Sequence, residues 1–197
     1  MRSSIFIWPA AAAALSACAT VTEGSGDTVN VQTDPPGAFC ELKREGVVIA
    51  EVGLTPDTVA IEKSKNDVAV RCRRDGYLEG VGVLASSFES MTLGNILLGG
   101  VVGVAIDAGS GALNDYPPFV RVKLTPERFS SDAERDLFFE GRRAEIDRAH
   151  AAAVEAAREK CAAGENECED RVAEADEARE DALAALEADR AKTTVGR

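Results

Sequence analysis

DPPGAFCELKREGVVIAEVGLTP, residues 34–56, holds two alternating apolar runs between three groups of turn residues. Asp34 to Gly37 and Gly53 to Pro56 bound it, and Glu45 with Gly46 divides it. Proline presets φ and glycine supplies positive φ, so each group ends one strand and aims the next. Between them Ala38, Cys40 and Leu42 alternate, and Val47 to Val52 form a second run, which predicts two strands joined by a tight turn. The pattern extends both ways. Val29 and Val31 alternate before it; Val59 and Ile61, then Val68, Val70 and Cys72, alternate after it, ahead of the turn pair Asp75-Gly76. Val120, Val122 and Leu124, following Tyr116, Pro117 and Pro118, read as a returning strand. Residues 28–125 are thus expected to form a small β-domain of antiparallel strands.

Side chains two apart on a strand share a face. Cys40 lies with Leu42, and Cys72 with Val68 and Val70, both on the face that must be buried. A Cys40–Cys72 bridge is geometrically reasonable, closing a loop for which chain entropy gives about 3 to 4 kcal/mol. The alternative is a pair of inert buried thiols.

Pro35-Pro36-Gly37-Ala38, Gly53-Leu54-Thr55-Pro56 and Asp75-Gly76-Tyr77 together resemble the PEGA family of small β-sandwich domains on bacterial surface proteins. Pro36 stands where that family carries Glu. The resemblance covers about residues 28–84 and implies an antiparallel sandwich with a non-catalytic binding or structural role in the envelope, without specifying a ligand.

Residues 93–106 form an uncharged apolar run broken by Gly94, Gly99, Gly100 and Gly103, within a Gly-rich insertion over 90–115. Such spacing lets helices approach closely, and in lipid it favours association. The run falls short of the roughly 20 residues a spanning helix needs. Two readings stand: a hairpin or crossover packed on the sheet, or a segment, 93–111, that inserts in or oligomerises within a membrane.

After Pro126 the chain is rich in Ala, Glu, Asp and Arg and contains no Pro. Phe139, Ile146, Ala153 and Ala157 keep one helical stripe, and Val172, Ala175, Ala182 and Leu186 another. Cys161 and Cys168 lie between them. On an unbroken helix they would sit about 10.5 Å apart, whereas a disulfide tolerates about 7 Å between Cα atoms. A bridge therefore requires a turn at Gly164 to Glu167, and residues 126–192 are expected to form an antiparallel helical hairpin, coiled-coil-like, stapled at its tip. Residues 193–197 read as a disordered tail.

The N-terminus sets the compartment. One charge, Arg2, precedes an apolar stretch from Ile5 to Leu15, which has signal-peptide length. Leu15-Ser16-Ala17-Cys18 resembles the lipobox of bacterial lipoproteins. That resemblance implies removal of residues 1–17, a diacylglycerol on the Cys18 thiol and an acyl chain on its amine. Ala19, rather than Asp, follows the lipidated position, which in the family's sorting rule favours the outer membrane, facing the periplasm. Residues 18–27 read as a flexible tether. In that oxidising compartment the remaining Cys40, Cys72, Cys161 and Cys168 make an even set, two disulfides.

Composition narrows the function. Of 197 residues, 34 are acidic and 22 basic, a net charge of -12, which opposes nucleic-acid binding. His150 is the sole histidine, so every Ser-His or Cys-His scheme rests on it. With Cys161 and Cys168 it still falls short of the four ligands of a structural zinc site. Ser86, Ser87 and Ser90 lack a nucleophile elbow. Asp107 to Asp115 lacks the alternating ligands of an EF-hand loop, and the glycines complete neither a dinucleotide fingerprint nor a P-loop. The expectation is a protein that is not an enzyme and carries no cofactor. Its partners are the bilayer, through the acyl chains, and an envelope protein or a second copy, through the acidic hairpin.

Overall fold

The computed structural model describes residues 26–86, 116–162 and 168–196, apart from the side chains of 160, 162 and 168. The signal stretch, Cys18, most of the tether, the Gly-rich segment and the hairpin tip lie outside the described residues. The chain is of mixed α+β class, with nine strands and two helices among the described residues. In order they are β1 (Gly26–Asp34), β2 (Phe39–Arg44), β3 (Val47–Val52), β4 (Asp57–Glu62), β5 (Val68–Arg73), β6 (Gly80–Leu84), β7 (Phe119–Lys123), β8 (Arg128–Phe129), α1 (Asp132–Ala162), α2 (Cys168–Lys192) and β9 (Thr194–Val195).

Glu45 and Gly46 take φ of 50° and 83°, the paired left-handed conformation that lets a two-residue turn match strand twist. β2 and β3 therefore pair as a hairpin inside a four-stranded antiparallel sheet of order β3-β2-β5-β6. A second sheet has the order β4-β1-β7. Alternation does what the sequence implies: Val29, Val31, Leu42, Val68, Val70, Val120 and Val122, drawn from both sheets, are buried in one cluster. Gly80 permits the close approach of β6 to β7, since a Cβ there would stand 2.7 Å from side-chain atoms of Val122 and Leu124.

Cys40 and Cys72 face each other in the β2–β5 register and are disulfide-bonded, with Cα atoms 4.1 Å apart. The two buried cysteines are a bridge, not a pair of thiols.

Two expectations are corrected. β7 runs parallel, not antiparallel, to β1. β7 enters at the end where β1 begins and pairs with β1 rather than with β6, its predecessor in the chain, so no short turn fixes the pair as antiparallel. The end of the chain is not a disordered tail: Thr194 and Val195 pair with Arg128 and Phe129 as β9 on β8. Antiparallel helices of similar length return the chain to its starting point, where Thr194 N–H donates to Glu127 O (2.8 Å) and Gly196 N–H to Phe129 O (2.9 Å).

The helices are antiparallel. Asp136 pairs with Arg190, Asp147 with Arg179 and His150 with Asp176, so the partner's number falls as the first rises. Phe139, Ile146, Ala153 and Ala157 of α1 are buried with Ala175, Ala178, Ala182 and Leu186 of α2, and Val172 is half-buried. Cys161 is disulfide-bonded; the side chain of Cys168, its expected partner, is outside those described.

Candidate functional site

The three turn motifs gather at one end of the β module, where β1 finishes. Thr55, buried, joins two of them. Its hydroxyl accepts from the N–H of Gly37 (3.2 Å) and Ala38 (3.0 Å), and it shares a hydrogen bond with the Thr33 hydroxyl. The backbone doubles the link, with Gly37 N–H donating to Thr55 O (2.8 Å) and Thr55 N–H to Ala38 O (2.9 Å). These residues hold the turns to each other. Thr55→Val keeps the volume but removes the acceptor from the Ala38 N–H and the partner from the buried Thr33 hydroxyl, a cost of about 2–3 kcal/mol. Urea melts should show that loss, and Thr33→Val in the same chain should recover part of it, because the second buried hydroxyl is then gone too.

An open cleft of about 380 Å³ lies beside this junction, lined by Gln32, Thr33, Asp34, Pro36, Pro56 and Arg121. Gln32 Oε1 accepts from both Nε (3.1 Å) and Nη2 (2.8 Å) of Arg121, so the cleft's cation is turned onto its own wall.

The helical pair is fixed to the same end. Leu78 N–H donates to Thr125 O (2.8 Å) and Glu127 N–H to Gly76 O (2.9 Å), tying the chain that leads into α1 to the Asp75-Gly76 turn. Lys123, at the end of β7, pairs with Glu145 of α1. Arg142 is largely buried beside them. Burial lowers its guanidinium from its ordinary range, opposed by the carboxylates of Glu145, of Asp34 on β1 and of Asp189 on α2. One cation thus sees the β module and both helices.

α1 starts on a cap that the apolar stripes do not reveal. Ser131 Oγ accepts from Glu134 N–H (3.2 Å), and Glu134 accepts from Ser130 N–H (2.9 Å) and from the Ser130 hydroxyl. Those bonds hold the Glu134 carboxyl below the usual carboxylate range. The signal is the Ser-x-x-Glu spacing at 131–134, a helix-start pattern.

Away from their seam the helices are polar and net acidic. α1 carries eight acidic side chains against six basic, and α2 nine against four. Cross-helix pairs such as Arg143–Glu187 (2.6 Å) and Arg179–Asp147 (2.6 Å) bridge the seam's edges. Glu177, Glu180 and Asp181 form an exposed acidic run on α2.

Of the residues weighed for chemistry, His150 and Ser86 are occupied structurally, while Ser87, Ser90 and Asp107 to Asp115 lie outside the described residues. His150 Nε2 lies 2.6 Å from Asp176 Oδ1 across the helix pair. Ser86 is buried, its hydroxyl donating to Lys65 O (2.5 Å) and its N–H to Asp67 Oδ1 (2.9 Å). Among the described residues no His, Cys, Asp and Glu side chains gather as a metal site. Nor is any described helix long and apolar enough to cross a membrane. A scan against protein-family models finds no match, and searches of curated proteins and of solved structures find none either.

Proposed function

We propose that this chain is a lipid-anchored lipoprotein of the bacterial cell envelope, held at the outer membrane and facing the periplasm, that works without catalysis as a protein-binding module. On this reading Cys18 carries the acyl chains, the β module is a PEGA-like sandwich that serves as the base, and the acidic helical pair contacts an envelope protein or a second copy. The supporting observation is the asymmetry of the helical pair. It buries one narrow, Ala-rich seam, is joined to the β module by the Lys123–Glu145 pair, and leaves its net-acidic outer faces to solvent. Such a long, rigid, charged surface suits selective protein contact, in which complementary charge steers encounter and sets specificity.

The anchor makes a direct demand on Cys18. One acyl chain holds a protein only marginally, whereas three hold it firmly. Cys18→Ala should remove the acyl mass that intact-mass measurement finds on the wild-type N-terminus. An unmodified wild-type N-terminus would refute the anchor.

A further inference from the structure

The end of the β module remote from the helices gathers features that no turn motif explains. β1 begins there at Gly26, the residue to which the expected tether from Cys18 leads. Ser86 and Tyr116 also lie at this end, both bound to the loop after β4. Ser86 donates to Lys65 O and Asp67 Oδ1, Tyr116 Oη donates to Asn66 O (2.6 Å), and Tyr116 N–H donates to Asp27 Oδ2 (2.8 Å). The β2–β3 turn stands at the same end, with the Arg44 guanidinium 5.6 Å over the Tyr116 ring and donating to Glu62 O (2.5 Å). Beyond Arg44 that turn presents two successive apolar side chains, Val47 at 66% exposure and Val48 at 42%.

We infer that this end, with the tip of the β2–β3 hairpin foremost, rests against the lipid surface, Val47 and Val48 entering the headgroup region. The inference rests on the reading of Cys18 as the lipid-bearing residue. Three arguments favour a bilayer as the occupant. Gly26 is eight residue steps on from Cys18, a reach of at most about 29 Å, while the nine-residue β1 sets the other end of the module about another 27 Å away. Among the described residues the hairpin tip is thus an exposed apolar surface at the end to which the tether leads. Its surroundings are also close to charge balance, with Arg44, Lys63 and Lys65 standing against Asp27, Glu45, Glu62 and Asp67, and Lys63 Nζ 3.7 Å from Asp27 Oδ1. The helices at the other end are net acidic and would be repelled by anionic headgroups.

The test uses the full chain, purified from membranes and reconstituted in phosphatidylethanolamine–phosphatidylglycerol vesicles containing nitroxide-labelled lipid. A genetically encoded fluorescent side chain replaces Val47, Leu54 at the helix-bearing end, or Leu137 on α1, all of them exposed positions. Nitroxide lipid should quench the probe at 47 several-fold more strongly than at 54 or 137. Equal quenching at the three positions, or stronger quenching at 54 or 137, would overturn the inference. Intact mass of the same samples separates the two causes of failure. With Cys18 acylated, the anchor stands and the orientation is wrong; with Cys18 unmodified and no position quenched, both fail.

Discussion

Phe139→Ala should melt the helical pair and leave the β module folded. Phe139 is buried where α1, α2 and β8 meet, its ring 6.0 Å from Phe129 and 5.2 Å from Phe138, with the Arg190 guanidinium 5.7 Å above it. Truncating a buried Phe costs about 3–5 kcal/mol. The rest of the seam has little to offset that loss, because beyond Ile146 and Leu186 its fully closed positions are Ala153, Ala157, Ala175, Ala178 and Ala182, which bury small areas. Nor do the helices survive on propensity, since most helical stability in proteins comes from packing of one face. The β module should persist, for its buried cluster shares no residue with the helical one. Circular dichroism at 222 nm should show the helical signal melting well below the wild-type transition, with the β module unfolding separately at higher temperature. A single transition at the wild-type midpoint would show that the seam does not depend on this ring.

The second large effect is expected from Cys40→Ala with Cys72→Ala. The bridge joins directly opposed residues of β2 and β5, the two central strands of the four-stranded sheet, across a sequence separation of 32. Closing a loop of that size stabilises the fold by about 3–4 kcal/mol in the chain-entropy treatment. For a module of this size that corresponds to a fall in Tm of about 15 °C or more. Alanine is the informative replacement, because serine would add two buried hydroxyls at positions of zero exposure. A calorimetric shift of only a few degrees would mean that the packing of Leu42, Val68 and Val70 around the sulfurs suffices without the bond.

Both effects were within reach of the sequence because they rest on local periodicity. A period of two put Cys40 and Cys72 on buried faces, and a helical period put Phe139 on the seam; Glu45-Gly46 announced the hairpin between β2 and β3. What stayed hidden depends on partners far along the chain. Thr55 reads as one more turn residue beside Pro56, yet its hydroxyl serves Gly37 and Ala38, 17 to 18 residues earlier. The parallel return of β7 is invisible to alternation, which reports the buried face and not the direction. β9 is two residues long, too short for any period, and exists because the returning helix delivers it to β8. Arg142 looks like one of many helix-surface cations until the end of β1 supplies Asp34. As for the site, the sequence pointed to the acidic helical pair as a surface, but the Lys123–Glu145 pair that joins it to the β module appears only once the strands are assembled.

If that surface is where the protein meets its partner, in-cell photocross-linking from Glu177, on the exposed face of α2, captures the contact. A discrete heavier species is expected on a gel, identified by mass spectrometry as an envelope protein or a second copy, and it should be lost when Phe139→Ala is introduced into the same chain. Monomer alone, from Glu177 and equally from Glu180 and Asp181, would contradict such a contact.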